Sequence, residues 1–436
     1  LYNFCSLSNC ADGQEPRAGL VQGTDGNFYG TTFIGGSNGS GAVFKITPAG
    51  ALITLYSFCP LSNCATGAGP NSALVQGANG NFYGTTERGG TGSNCGASGC
   101  GVIFEITSSG ALTVVHSFDS RDGSVPYAGL LQATDGNFYG TTYVGGTNNG
   151  GTVFQLTPGG TLTTLYDFCS LSNCADGTNP SGVLVEGANG NLYGTAGGGG
   201  LGGATTSAGV VFQITTTGAM TTLYNFCSLH NCTDGSRPYA GLVLGTNGNL
   251  YGTTLGGGVS NHGTAFQVTP SGALFTLYNF CSLSNCTDGW YPYAGLVQAT
   301  NGNFYGTTYW GGGCTDGTSG CGAIFSFSLN VALPPTIKPA SLTFPSQALN
   351  TASKAKVVTI KNVNTGSATL DLTGFAISPP FAISANRCKA TLAPGKSCSL
   401  SITFTPTGAG ASTGSLSITD NGPTTPQTVV LKGTGE

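Results

Sequence analysis

Short apolar runs separated by Gly, Asn and Asp turns fill the first 328 positions, and one group of four runs recurs. In its first copy the runs are AGLVQ (18–22), NFYGTT (27–32), AVFKIT (42–47) and ALITLYSF (51–58). Apolar runs this short, bounded by turn residues, predict strands rather than helices. The string G-N-[FL]-Y-G-T begins at 26, 80, 136, 190, 248 and 302, giving six copies at intervals of 54 to 58 residues. Four strands in a repeat of that length predict a propeller blade. The first two runs are joined by turns such as Asp25-Gly26 and Asn301-Gly302, whose residues tolerate positive φ. Thr47 to Gly50 and Thr269 to Gly272 join the third and fourth runs in the same way.

The ends of the array argue for a closed ring over a solenoid. The sixth copy stops after its third run, Ala323 to Phe327, whereas the chain opens with Leu1-Tyr2-Asn3-Phe4, which matches the fourth run of the other copies. That segment is expected to complete the sixth blade and remove an open sheet edge. The fold class expected is therefore all-β: a six-bladed propeller over residues 1–328, four strands to a blade, closed by the N-terminal strand.

The recurring LVQGTDGNFYGTT, GG and LYNF elements resemble the GloVer tandem repeat of bacterial "choice-of-anchor" exported proteins, and the blade is also similar to that of NHL-type propellers. The resemblance implies export and repetition, and little about activity. Residues 329–339 (LNVALPPTIKP) read as a Pro-rich linker. The alternating runs SLTF, KVVTIKN, LSITFTP, GSLSITD and TVVLKGTG then predict an immunoglobulin-like β-sandwich over residues 340–436. Its Cys388 to Cys398 segment and its TFTPT and GSLSITDN runs resemble the ASH-like, choice-of-anchor D domains of bacterial surface proteins.

Composition sharpens the picture. Charged residues are 7% of the chain, against about 25% in ordinary domains. The 16 cysteines form eight close pairs: 5/10, 59/64, 95/100, 169/174, 227/232, 281/286, 314/321 and 388/398. An even count paired at short range implies disulfides and an oxidising compartment. Zinc is the competing reading of a C-x4-C pair, but structural zinc takes four ligands and these pairs are spread around the repeats. In the third repeat, SFDSRDG (117–123) lacks both cysteines together, as a bond between them predicts. With no apolar run of membrane-helix length and no initiator Met, the chain reads as an exported, processed product. Cut near Pro334, the front half has five basic and 14 acidic residues and the back half eight basic and three acidic, an asymmetry that favours attraction between the front of one molecule and the back of another. Neither half has the basic, aromatic surface of a nucleic-acid binder.

Candidate chemistry is sparse. Both tryptophans, Trp290 and Trp310, fall in sixth-repeat loops beside Tyr291, Tyr293 and Tyr309. Such aromatics suit sugar rings or a protein partner, although burial between blades is the commoner fate of Trp and Tyr. Asp12, Asp122, Asp176, Asp234 and Asp288 precede Gly at one position of five repeats, with Thr66 in the second. A ring of them would suit a cation, but Asp-Gly is first of all a turn former. Asp25 and Asp135 are hairpin turn residues, and the propeller acids that remain, Glu15, Glu87, Glu105, Asp119, Asp167, Glu186 and Asp316, share no motif. His116, His230 and His262 are scattered, and sequons stand at Asn38, Asn231 and Asn285. No catalytic, cofactor-binding or metal-binding residue is assigned. The expectation is a secreted or cell-surface structural or adhesive protein that self-associates, with Leu1, Tyr2, Asn3 and Phe4 as assembly strand. The alternative is a glycan-binding module, and more remotely a polysaccharide-active enzyme.

Overall fold

The computed structural model describes residues 1–60, 63–92, 94–201, 208–313, 321–328, 335–363, 369–420 and 426–436. The repeats and the C-terminal segment are two compact units. Cys314, Asp316 and the linker residues 329–334 lie outside the described residues.

In the first repeat β1 (Val21–Gln22), β2 (Phe28–Thr32), β3 (Ala42–Ile46) and β4 (Leu52–Ser57) form one antiparallel sheet in chain order. The second, third and fifth repeats build the same four-stranded sheet. The fourth adds a short strand, Thr178–Pro180, against Leu192–Gly198. In the sixth, β5 (Val297–Gln298), β6 (Phe304–Thr307) and β7 (Ile324–Phe327) make a sheet of three, and Leu1 to Phe4 belongs to none of the sheets.

Local chemistry explains the recurring letters. The Gly of N-F-Y-G-T lies beneath a Phe ring of the next strand: a Cβ on Gly30 would sit 2.7 Å from Phe44 Cζ and from Leu20 Cδ2. Between Val43 and Phe44 the register slips and leaves Leu55 unpaired, and the equivalent bulge recurs in the next four repeats. A bulge there sharpens the strand twist.

Successive repeats interlock through aromatics. Tyr29 stacks on Phe82 at 3.9 Å, and Tyr83 and Tyr251 pack at a tilt against Phe138 at 4.3 Å and Phe304 at 4.4 Å. On the outer side Phe58, Phe118, Phe168, Phe226 and Phe280 stand edge-on to Phe104, Phe154, Phe212, Phe266 and Phe325 of the following repeat. Val43 and Leu74 share one core cluster across the first junction, as Ile103 and Leu130, Val153 and Leu184, and Val211 and Leu242 do across the next three.

The same positions are uncovered where the series begins and ends. Leu20 is 54% exposed, although Leu74, Leu130, Leu184, Leu242 and Leu296 are buried. Ile324 is 83% exposed, although Val43, Ile103, Val153, Val211 and Ala265 are fully buried. Pro16 is exposed, whereas Pro70, Pro126, Pro180, Pro238 and Pro292 are buried. Phe4 nevertheless stands edge-on to Phe44 at 4.9 Å, extending the outer aromatic series. The Leu1 carbonyl faces Gly50 much as the bulged Leu55, Leu165 and Leu223 face Gly110, Gly218 and Gly272. The N-terminal residues thus flank the first repeat as a preceding fourth strand would.

The second unit is a sandwich. One sheet runs Thr336–Lys338, Lys356–Lys361, Ser397–Phe404, Phe381–Asn386, and the other Ser341–Gln347, Gln427–Gly435, Gly410–Asp420, Leu370–Ile377, Thr391–Leu392. Alternate residues of Gln427–Gly435 are buried, including Val429 and Leu431, so each strand gives one face to a core that includes Val358, Ile402, Phe404 and Leu416.

Candidate functional site

The C-x4-C loops are built before any site is. Bonds join Cys5–Cys10, Cys59–Cys64, Cys95–Cys100, Cys169–Cys174, Cys227–Cys232, Cys281–Cys286 and Cys388–Cys398. Cys321 is also disulfide-bonded; Cys314, its neighbour in the sequence reading, is outside the described residues. Inside the loop Asp12 accepts from Tyr2 Oη at 2.9 Å, Ser6 N at 2.9 Å, Ser6 Oγ at 2.8 Å and Leu7 N at 3.2 Å. Burial opposes its charge, but these donors hold the Asp12 carboxyl far below its usual range. Asp176, Asp234 and Asp288 repeat the arrangement. Each aspartate is therefore occupied within its own loop, as a turn former. In the third repeat His116 takes the tyrosine's place, its Nε2 lying 2.7 Å from Asp122 Oδ2.

Each loop leads to a backbone bend toward a shared cavity. Glu15, Val125, Asn179, Arg237 and Tyr291 all adopt φ between 55° and 58°, one residue before Pro16, Pro126, Pro180, Pro238 and Pro292. Non-glycine residues in this left-handed region are strained, and such strain gathers at functional positions. Gly69 holds the same place in the second repeat with φ 64°. Bridges tie five of the six bends to the segment after the repeat's second strand: Gln14 with Ile34, Ala68 with Arg88, Ser124 with Val144, Ser236 with Gly256 and Trp290 with Trp310. In the fourth repeat Thr178–Pro180 pairs with Leu192–Gly198 instead.

Beyond the bends lies a cavity of about 1070 Å³ lined by all six repeats. Equivalent positions after the proline supply Arg17, Asn71, Tyr127, Ser181, Tyr239 and Tyr293, and Leu255, Tyr291, Tyr309 and Trp310 join them. The third, fifth and sixth repeats thus give aromatic rings and the first, second and fourth polar side chains, with Ser181 of the fourth falling between two aromatic repeats in chain order. Tyr239 and Tyr293 rings are stacked at 5.8 Å, and Tyr127 and Tyr143 are 6.2 Å apart. Burial, then hydrogen bonding with Tyr127, pushes the Tyr293 hydroxyl well above its usual range, and burial with Tyr239 nearby raises Tyr143.

Of the five aromatics singled out from the sequence, Tyr291, Tyr293, Tyr309 and Trp310 line the cavity. Trp290 is not among the lining residues; it packs against His262 with centroids 4.7 Å apart. Tyr127 and Tyr239 were missed. The readable signal was P-Y-A-G-L, which occurs at 126, 238 and 292 and marks all three tyrosines as equivalent.

Among the described residues Arg17 is the one charged side chain lining the cavity. Its guanidinium lies 3.6 Å from the centre of the Phe33 ring and pairs with Glu15 at 2.7 Å. Glu87 is buried where other repeats carry Phe33, Tyr143, Leu255 and Tyr309, and its Oε1 has no hydrogen-bond partner. Burial pushes its carboxyl up, against the pull of Arg88 and Arg17. Glu105 accepts from Asn79, Asn81 and Tyr83, and Glu186 from Thr134. Asp119 accepts from Arg121 N, and Asp167 from Thr147.

Residues 1–201 and 201–334 match the model of the Gloeobacter/Verrucomicrobia repeat. The chain belongs to that repeat family. Residues 330–428 match the ASH domain, described as abnormal spindle-like microcephaly-associated, ASPM-SPD-2-Hydin. No curated protein matches the repeat chain. Among solved structures it is similar to the Vibrio cholerae VesB protease (18% identity, 23% of this chain and 31% of that one, TM-score 0.20). It is similar too to the ASH/PapD-like domain 7 of human CEP192 (16%, 25% and 90%, TM-score 0.20) and to a puromycin hydrolase (13%, 66% and 41%, TM-score 0.40). The chain spans less than half the length of the protease and the hydrolase. No helix among the described residues is long and apolar enough to cross a membrane, and the disulfide-rich repeats are compatible with an extracellular protein.

Proposed function

We propose that this repeat protein is an exported, non-catalytic adhesive protein: a six-bladed propeller that holds a carbohydrate chain at its axial mouth. The observation that carries the reading is the cavity to which all six repeats contribute, with aromatic rings from three of them and Arg17, Asn71 and Ser181 from the other three. Sugars present an apolar face and a rim of hydroxyls, so flat tyrosine and tryptophan rings together with Asn71, Ser72 and Ser181 suit them. The ring is closed when the sixth repeat seats on the first and Leu1 to Phe4 pairs with β7 as the missing fourth strand. Glu87 is buried with an unpartnered oxygen, but Asp12, Glu105, Asp119, Asp167, Asp176, Glu186, Asp234 and Asp288 each accept hydrogen bonds. That supports a binding role over a catalytic one, because glycoside hydrolysis asks for two free carboxylates facing one bond. The test is a glycan array followed by calorimetry with the best neutral oligosaccharide. Trp310→Ala and Tyr239→Ala are each expected to weaken binding tenfold or more, while Trp290→Ala, off the cavity, leaves it within twofold. Absence of any glycan ligand, or wild-type affinity in both cavity variants, counts against the proposal.

A structural reading rests on a different observation, the uncovered Leu20 and Ile324 faces. If the sixth repeat of one molecule covered the first repeat of the next, subunits would join head to tail, with the acidic and basic halves of the chain reinforcing that order.

A further inference from the structure

His262 occupies a position where the other repeats carry Ser40, Cys100, Gly150 and Ala208. Its Nδ1 is buried and makes no hydrogen bond. Trp290 lies against one side of the ring, and the His262 carbonyl accepts from Tyr291 N at 3.1 Å, so the imidazole is held in place. Beside it runs the Cys281–Cys286 disulfide. One ligand atom each from His262, Cys281 and Cys286 lie within 4.8 Å of one another, a convergence found nowhere else among the described residues.

We propose that reduction of Cys281–Cys286 converts this group into a zinc site. A dithiol or phosphine reductant supplies two electrons, the S–S bond breaks and each sulfur takes up a proton, while the reductant becomes a disulfide or phosphine oxide, the latter taking its oxygen from water. Zinc then displaces both thiol protons and takes two thiolates and the neutral His262 Nδ1 lone pair, leaving a fourth position for water. Zinc ligand bonds of about 2.0–2.3 Å place ligand atoms closer together than 4.8 Å, a distance side-chain rotation closes once the sulfurs separate. In the oxidised chain the sulfurs are bonded to each other, so the site exists only after reduction.

The loop also has bonds that do not pass through its sulfurs: Asp288 accepts from Tyr278 Oη at 2.7 Å and from Ser282 N at 2.8 Å. The Cys169–Cys174 and Cys227–Cys232 loops have Gly150 and Ala208 in place of His262 and serve as internal controls.

The experiment uses the whole chain, reduced anaerobically with a phosphine, with near-ultraviolet circular dichroism to follow the fold. Alkylation of each cysteine is then timed by mass spectrometry with and without zinc. Zinc is expected to slow labelling of Cys281 and Cys286 at least tenfold relative to the control loops, and His262→Ala to abolish that difference. Equal labelling in all loops, protection that survives His262→Ala, or loss of the fold on reduction would each overturn the proposal.

Discussion

Asp12 and Glu87 show how environment decides what a carboxylate does here. Asp12 is buried with four donors and stays charged. Glu87 is buried with an orphan oxygen, and burial raises it despite Arg88 and Arg17. An acid raised on folding holds its proton more tightly in the folded chain. The folded state is therefore penalised once the pH exceeds the ordinary Glu value of about 4.3, and the penalty is complete above the raised folded value. Glu87→Gln is expected to raise the melting temperature at pH 7, and the gain to vanish below about pH 4, where both states of the parent are protonated. Melting curves at pH 7 and pH 3.5 check it; an equal gain at both would show that the carboxylate charge is not the cause.

Within a repeat, the element that constrains sequence most is the contact of strand two with strand three. Phe266 lies over Gly252, and a Cβ there would stand 2.7 Å from Phe266 Cζ and 2.9 Å from Leu242 Cδ2. Both neighbours are buried core. Gly252→Ala is expected to cost about 1–3 kcal/mol by overpacking, measured by denaturant unfolding. Gly248→Ala, at a hairpin tip with open space around it, is strained by its φ of 78° alone and makes no such clash. The strand pattern was legible because runs this short between turn residues have few alternatives. The extra strand Thr178–Pro180 was not, since its pairing with Leu192–Gly198 lies across a loop and leaves no local period.

For the molecule as a whole, the first and sixth repeats present the halves of a junction that the intervening repeats fill five times. Val43 and Leu74 share one core across the first of these, and Ile324 and Leu20 are their counterparts at the open faces. A Leu20→Cys, Ile324→Cys chain under mild oxidation distinguishes the two ways of covering them. Closure of the ring predicts a cross-link within a monomer, seen as faster migration in a denaturing gel. Head-to-tail assembly predicts a ladder of multimers, and absence of either product would mean that these faces do not meet.

The sequence by itself determined the repeat, its strands and turns, the short-range cysteine pairs and the C-terminal sandwich. All of these are written in alternation, turn chemistry and spacing. Membership of the repeat family followed from the same strings. Only the tertiary structure decided which aromatics act together. Trp290 and Trp310 are paired across one bridge, yet only Trp310 lines the cavity, while Tyr239 and Tyr127 reach it from 54 and 166 residues before Tyr293. The reason is geometric: a position that recurs once per repeat carries no local signal of its own, and becomes a site only when six bends of the backbone converge.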